Sequence, residues 1–258
     1  MNKTVLITGA SSGIGLEISK IFARDNYDLV LISQNIDNLN MAKEIISNEY
    51  KAVKIYAYCK DLSDAGASEE IYEYTCSKKL KIDILVNNAG IQVYGKFHEV
   101  KEADIIKLMY INMYALTGLT RKYIEEMVKC GSGKILNIAS TGAFQACPLN
   151  SVYCASKAYV LHLSEAIQEE LKGSGVTITT LCPGATRTNF AKRAGIEEIK
   201  LFKGKVLAPD KVAEIGYRAL MQGKAVVTTG ISNKLMVEAV RFMPRKLVTK
   251  VGMRMMMK

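Results

Sequence analysis

Residues 3–15 read Lys-Thr-Val-Leu-Ile-Thr-Gly-Ala-Ser-Ser-Gly-Ile-Gly, and this stretch decides the fold. The run 3–8 is short, apolar and rich in β-branched residues, as a buried strand is. Behind it, Ile14, Ile18, Ile21 and Phe22 recur at i, i+4, i+7 and i+8, which places them on one face of a helix. Between the two, Thr8 to Gly15 is built mostly of Gly, Ala and Ser. Small residues at a strand-to-helix turn let backbone N–H groups approach a phosphate closely, and the helix N-terminus adds a partial positive charge. Alone, the glycines also suit a plain tight turn. Their place at the first such junction favours a dinucleotide pyrophosphate.

The same alternation continues outward. Apolar runs at 3–8, 28–33, 53–58, 82–86, 133–139, 175–181 and 225–229 are separated by stretches of helical period at about 36–50, 64–79, 101–130, 151–172 and 209–222. Strands alternating with helices of this length predict βαβ units, hence an α/β, doubly wound (Rossmann) parallel sheet of seven strands with helices on both faces. No linker or internal repeat divides the chain, so residues 1–258 are expected to form a single domain. Its least regular part is 184–208.

With 258 residues, 49% of them apolar and 23% charged, the chain has ample material for a core and is not of disordered composition. No run of about 18 apolar residues offers a membrane span, and the N-terminus lacks the apolar region of a secretory signal. A cytoplasmic location is the expectation. The six cysteines, Cys59, Cys76, Cys130, Cys147, Cys154 and Cys182, form no C-x-x-C pair, and the two histidines, His98 and His162, lie far apart in sequence. Neither a metal site nor a disulfide framework is expected, and the thiols read as buried small hydrophobes.

The net charge of +10 is localised. Residues 185–208 hold six basic residues (Arg187, Lys192, Arg193, Lys200, Lys203, Lys205) against two acidic ones, and residues 231–258 hold seven (Lys234, Arg241, Arg245, Lys246, Lys250, Arg254, Lys258) against Glu238 alone. No nucleic-acid recognition motif or aromatic platform accompanies them, so no nucleic-acid partner is expected. The basic C-terminal segment also carries six of the twelve methionines. Met-rich segments pack into subunit contacts or a substrate cleft. A basic amphipathic stretch also suits an anionic membrane surface, and a solvated tail is the third reading.

Three further positions carry chemistry. At the end of the second strand, where an acid would bind the adenosine ribose and repel a 2'-phosphate, stand Ser33 and Gln34, a choice that favours NADP over NAD. Asp61, after the third strand, can accept from an adenine amino group or simply cap a loop. Tyr153 and Lys157 lie four residues apart on a helical stretch and therefore share a face. An ammonium beside a phenol lowers the phenol's pKa and makes Tyr153 a general acid or base. Ser140 follows the fifth strand at the end of the sheet where doubly wound folds bind ligands.

On these residues the chain resembles the short-chain dehydrogenase/reductase family, compact single-domain subtype, over nearly its whole length. The family's T-G-x-x-x-G-x-G stands as Thr8 to Gly15, its D-L as Asp61-Leu62, its N-N-A-G as Asn87 to Gly90, its active-site Asn as Asn112, its Ser as Ser140, its Y-x-x-x-K as Tyr153 and Lys157, and its P-G-x-x-x-T as Pro183, Gly184 and Thr188. Residues 95–99, 136–140 and 181–184 are similar to a bacterial group that resembles 3-oxoacyl-CoA and 17β-hydroxysteroid reductases.

The resemblance implies hydride transfer between a nicotinamide cofactor and a carbonyl or secondary alcohol. Tyr153 would be the general acid, Lys157 would lower its pKa and hold the ribose, Ser140 would polarise the carbonyl, and Asn112 would hold the lysine through a water. Gly9, Ser11, Ser12, Gly13, Ile14, Gly15, Ser33, Gln34, Asp61, Leu62, Asn88, Ala89, Gly90, Tyr153, Lys157, Pro183, Gly184 and Thr188 would contact the cofactor. It implies a small-molecule partner, a homo-oligomer, and substrate selection by 92–97, 142–150 and a lid at 184–208. A catalytically silent NADP-binding sensor or scaffold is the alternative on the same fold, and a membrane- or carrier-docking role for the C-terminus is a further one.

Overall fold

In the computed structural model, described for residues 2–200, 204 and 206–257, seven parallel strands form one sheet in the order β3-β2-β1-β4-β5-β6-β7. The strands are β1 (Thr4–Thr8), β2 (Asp28–Ser33), β3 (Ile55–Cys59), β4 (Ile84–Asn87), β5 (Gly133–Ile138), β6 (Val176–Cys182) and β7 (Val226–Thr228). The order reverses between β1 and β4, and the crevice at that switch point is where this architecture takes ligands.

The strands read as continuous apolar runs because both faces of the sheet are covered. Val5, Ile7, Leu29, Leu31, Val86, Leu136 and Ile138 point to one side, against α1 (Gly13–Arg24), α2 (Ile36–Glu49) and α8 (Pro209–Met221). Their neighbours Leu6, Val30, Ile32, Leu85 and Ile135 point to the other, against α3 (Ala67–Ser77) and α5 (Leu116–Lys129). Phe22, from the predicted apolar face of α1, is fully buried and packs edge-on to Tyr27 and Tyr217. Cutting such a ring back to Ala costs about 3–5 kcal/mol.

The structure departs from the sequence reading of the elements in three places. The single helix expected at 101–130 is α4 (Glu102–Met109) and α5 joined by a π-helical turn at Tyr110–Ala115, which carries Asn112. The irregular 184–208 stretch holds a short α7 (Asn189–Arg193) and a bridge between Thr186 and Leu207, while Lys203 and Lys205 lie outside the described residues. The C-terminal segment is not a solvated tail: it forms α9 (Ile231–Phe242) and α10 (Arg245–Met256). The long central helix α6 (Ser151–Glu170) follows the expectation.

Cys147, Cys154 and Cys182 are buried as expected, but Cys59, Cys76 and Cys130 are exposed. The latter sit at the end of an edge strand or in the last turn or cap of a helix, where the core no longer covers the chain. No helix among the described residues is long and apolar enough to cross a membrane, and no cluster of three or more His, Cys, Asp or Glu among them can hold a metal ion.

Candidate active site

At the C-terminal ends of the strands a cavity of about 630 Å³ runs from the Gly-rich turn to the C-terminal helices, near the middle of the roughly 300–1,000 Å³ usual for ligand sites. Its floor at one end is the turn itself. Gly9 takes φ +65°, and a side chain at Gly15 would meet Gly9 O at 2.3 Å, so only the absence of a Cβ lets α1 start this close to β1. Thr8 and Asn88 clamp the turn to the end of β4: Asn88 Nδ2 donates to Thr8 O (2.9 Å) and Gly9 O (3.2 Å), and Thr8 Oγ1 accepts from the N–H groups of Asn88 and Ala89 (3.0 Å each). Ser12 caps α1 without a side-chain hydrogen bond, so the first N–H groups of the helix face the cavity side of the turn without that competitor. A cradle of this kind fits a pyrophosphate.

Along the adjoining wall stand Ser11, Ser12, Gly13 and Ile14, then Ser33, Gln34, Asp61, Leu62, Asn88, Ala89 and Gly90. The hydroxyls of Ser11 and Ser33 are hydrogen-bonded at 2.8 Å. Asp61 is both wall and cap. Burial alone would raise its carboxyl, but the Ser63 N–H (2.9 Å), the Ser63 hydroxyl (2.8 Å) and the Lys107 ammonium (3.4 Å) together hold it below the usual carboxylate value. Pro183, Gly184 and Thr188 close the opposite side, and Thr188 caps α7 by accepting from Phe190 N–H. Of the residues expected at the cofactor only Gly15 stays out of the cavity wall, because it is consumed in the contact between α1 and β1.

The reactive end is built by α6 and the segment after β5. The N–H groups of Ala139 and Thr141 donate to Leu181 O and Pro183 O (2.8 Å each), which fixes Ser140 between them. Ser140 Oγ accepts from Gly142 N–H at 3.0 Å and is the hydrogen-bond partner of the Tyr153 phenol. One turn further along α6, buried Lys157 donates to Ile138 O at 2.8 Å, with its Nζ 5.7 Å from the centroid of the Tyr153 ring. Burial raises the Tyr153 phenol above its ordinary value, while the bond to Ser140 acts in the opposite direction. Burial lowers Lys157 to about 8. The expected depression of the Tyr153 pKa by Lys157 is not found in the protein alone: Lys157 is not among the influences on the phenol, and desolvation penalises the charged form of both groups.

Asn112 is buried behind this surface rather than in it. Its carboxamide is paired with the backbone of Ile91 in both directions, accepting from Ile91 N and donating to Ile91 O (2.9 Å each), and its Nδ2 also donates to Ser156 Oγ at 3.1 Å. The π turn supplies that orientation, as such turns often do near functional sites.

The far wall is apolar: it draws Tyr94, Cys147, Phe190 and Ile196 from the segments expected to select substrate, whereas its Met236, Met255 and Met256 were not singled out as site residues. Tyr94 donates its hydroxyl to Met256 O at 2.6 Å, which ties the 92–97 loop to α10. Phe190 stands 5.9 Å from the Tyr153 ring, centroid to centroid. For those methionines the signal was their concentration in the C-terminal segment, and packing against a substrate cleft was one of its readings.

Residues 3–198 match the family described as short chain dehydrogenase. The chain is 34% identical over 209 residues to the ketoacyl reductase HetN of Nostoc sp., covering 77% of this chain and 71% of that protein. It is 31% identical over 205 residues to an (S)-acetoin-forming diacetyl reductase of Staphylococcus epidermidis, covering 78% of each. A short-chain dehydrogenase of Sphingobium yanoikuyae, solved in complex with NADPH, superposes with a TM-score of 0.84 at 32% identity, over 93% of this chain and 92% of that one. With its seven-stranded sheet, its Gly-rich turn and these relatives, the chain belongs to the short-chain dehydrogenase/reductase family of nicotinamide-dependent oxidoreductases.

Proposed function

We propose that the protein reduces an apolar ketone or a 3-oxoacyl thioester with NADPH, Tyr153 acting as the general acid. The observation that carries this reading is the convergence of Tyr153, Ser140 and Lys157 between the phosphate cradle and an apolar wall, in one cavity. When bound, the cofactor supplies the hydride. Tyr153 gives its phenolic proton to the carbonyl oxygen, and burial keeps that proton in place until the transfer. Ser140, whose oxygen already accepts from Gly142 N–H, has its own proton to donate to the same carbonyl oxygen and so orients it and stabilises charge growing there. Lys157 spends one of its three N–H donors on Ile138 O, which leaves two for ribose hydroxyls. Its positive charge stabilises the phenolate left on Tyr153. Asn112 acts as a positioning residue by holding Ile91, the residue after the Gly90 that Lys157 Nζ approaches.

The preference for NADPH rests on Ser33 and Gln34, neutral hydrogen-bonding groups at the place where a carboxylate would repel a 2'-phosphate. A relative solved with NADPH is consistent with this choice. The apolar substrate rests on the wall of Tyr94, Phe190, Ile196, Met236 and Met256. It agrees with a relative named as a ketoacyl reductase, and it has more room than the diketone of the diacetyl reductase demands. Residues 184–208 act as the substrate lid, and the enzyme works as a cytoplasmic homo-oligomer. Loss of NADPH absorbance over a panel of ketones and 3-oxoacyl thioesters tests the reading. Turnover should rise with the apolar bulk of the substrate, and a panel in which no carbonyl compound is reduced would overturn it.

A further inference from the structure

We propose that α9 and α10 form a docking surface for an anionic lipid bilayer, and that docking sets the mouth of the cavity against the membrane. The two helices carry more apolar surface than the fold uses. On α9, Val237 is buried and Asn233, Met236 and Val240 are half-buried, which accounts for one face. At about 100° per residue, Ile231, Leu235 and Phe242 fall on the opposite side, and they are 79%, 68% and 87% exposed. This helix therefore has a second apolar stripe that points away from the core.

On α10 three stripes run side by side. Val248, Gly252 and Met256 are buried against the fold, Leu247, Val251 and Met255 are exposed at i, i+4 and i+8, and Lys246, Lys250 and Arg254 repeat at the same spacing beside them. Lys234, Arg245, Lys246, Lys250 and Arg254 make no ion pair among the described residues, where the pair in α9 is Arg241 with Glu238. Exposed apolar stripes flanked by unpaired cations, in the absence of a spanning helix, are the composition of a segment that lies in a membrane interface.

The same charge decides between occupants. A second copy of this chain meeting the surface about a two-fold axis would set one basic segment, seven basic residues against one acidic, directly against its own image. A nucleic acid would satisfy the cations but leave Ile231, Leu235, Phe242, Leu247 and Val251 without a partner. Anionic headgroups over acyl chains satisfy both. Met255 belongs to the exposed stripe and also to the cavity wall, so the bilayer would meet the protein at the end of the cavity that is apolar.

The test is flotation of the full chain with vesicles of phosphatidylcholine alone or with about a third of phosphatidylglycerol. Recovery should be about tenfold greater with the anionic vesicles and should fall as salt is raised. Leu235→Ser with Phe242→Ser, and separately Lys246→Glu with Lys250→Glu, should each reduce it about tenfold. Both double variants should keep the native melting temperature and native turnover in vesicle-free buffer. Flotation is read without turnover, so this surface and the catalytic reading stand or fall separately. Equal recovery with both vesicle types, or none with either, overturns the proposal. So does sedimentation showing that Leu235→Ser with Phe242→Ser dissolves an oligomer while the native chain ignores vesicles, or binding to a DNA duplex that anionic vesicles do not compete away.

Discussion

Lys157 Nζ lies over the ring of Tyr153, 5.7 Å from its centroid, and its hydrogen bond to Ile138 O is 2.8 Å long. Lys157 is buried and Tyr153 half-buried in the cavity wall, and no carboxylate is among the influences acting on either one. The site therefore stores instability in the lysine. A fall from 10.5 to about 8 corresponds to roughly 3 kcal/mol at 1.36 kcal/mol per pH unit. Between pH 8 and 10.5 the folded chain binds fewer protons than the unfolded one, so native stability rises with pH across that window. Lys157→Met, which removes the charge and loses a hydrogen bond worth about 1 kcal/mol, should melt about 4–8 °C above the native protein at pH 7. The advantage should shrink toward pH 10, and turnover should be lost throughout. Melting curves at both pH values decide it: a variant less stable at pH 7 would mean that the ammonium contributes more than its burial costs.

Tyr153→Phe should cut carbonyl reduction by about 10²–10⁴-fold, the range for loss of a general acid. Dissociation of NADPH, followed by its fluorescence, should change by no more than a few-fold, because the ring that remains still packs against Phe190 and only the hydroxyl is gone. A variant retaining a tenth of native turnover would transfer the acid role to another group.

Much of this site was legible because its residues act through local sequence. Thr8 to Gly15 declares itself by small residues at a strand-to-helix junction, and Tyr153 and Lys157 share a face through nothing more than helical period. Asn112 was legible as a family position, but the π turn beneath it was not, since residues 101–130 keep an unbroken helical pattern across it. The paired apolar stripes of α9 blur the period from which a helix is read. Tyr94 and Met256 meet across 162 positions, a contact that no local pattern encodes. The pKa of Tyr153 depended on burial, which a neighbour's charge in the sequence does not report.

Ser33→Asp should reverse cofactor preference. Ser33 shares a hydrogen bond of 2.8 Å with Ser11 in the wall near the Gly-rich turn, and a carboxylate there would repel a 2'-phosphate while accepting from a ribose hydroxyl. The ratio of kcat/KM for NADPH to that for NADH should pass from above one to below it. A native protein that uses NADH as well as NADPH would remove the basis for this assignment.

Met256→Ala should widen the apolar end of the cavity. Met256 is buried with Cys147, Cys154, Ile196 and Ile199, so truncation should cost about 2–5 kcal/mol of stability. It should also shift kcat/KM toward ketones with a larger substituent, while small ketones lose efficiency. A uniform fall across a size series would show that Met256 supports the fold without shaping the substrate site.

The last prediction concerns charge at the mouth. Residues 185–208 are strongly basic, and within the described part of that stretch Arg193 lines the cavity while Lys200 is exposed near the C-terminal end of α10, its N–H donating to Met257 O at 3.3 Å. Two cations that make no ion pair among the described residues raise the local concentration of an anionic substrate, such as an acyl thioester of coenzyme A, and the effect fades as salt shortens the Debye length to about 10 Å at 0.1 M. With NADPH saturating, so that the cofactor's own charge drops out, kcat/KM for an acyl-CoA should fall with salt more steeply than for a neutral ketone. Arg193→Glu with Lys200→Glu should flatten that difference and leave the neutral ketone within about twofold. Identical salt slopes for the two substrates would reduce these side chains to solvated charges on a lid, and would point the search for a substrate toward uncharged ketones.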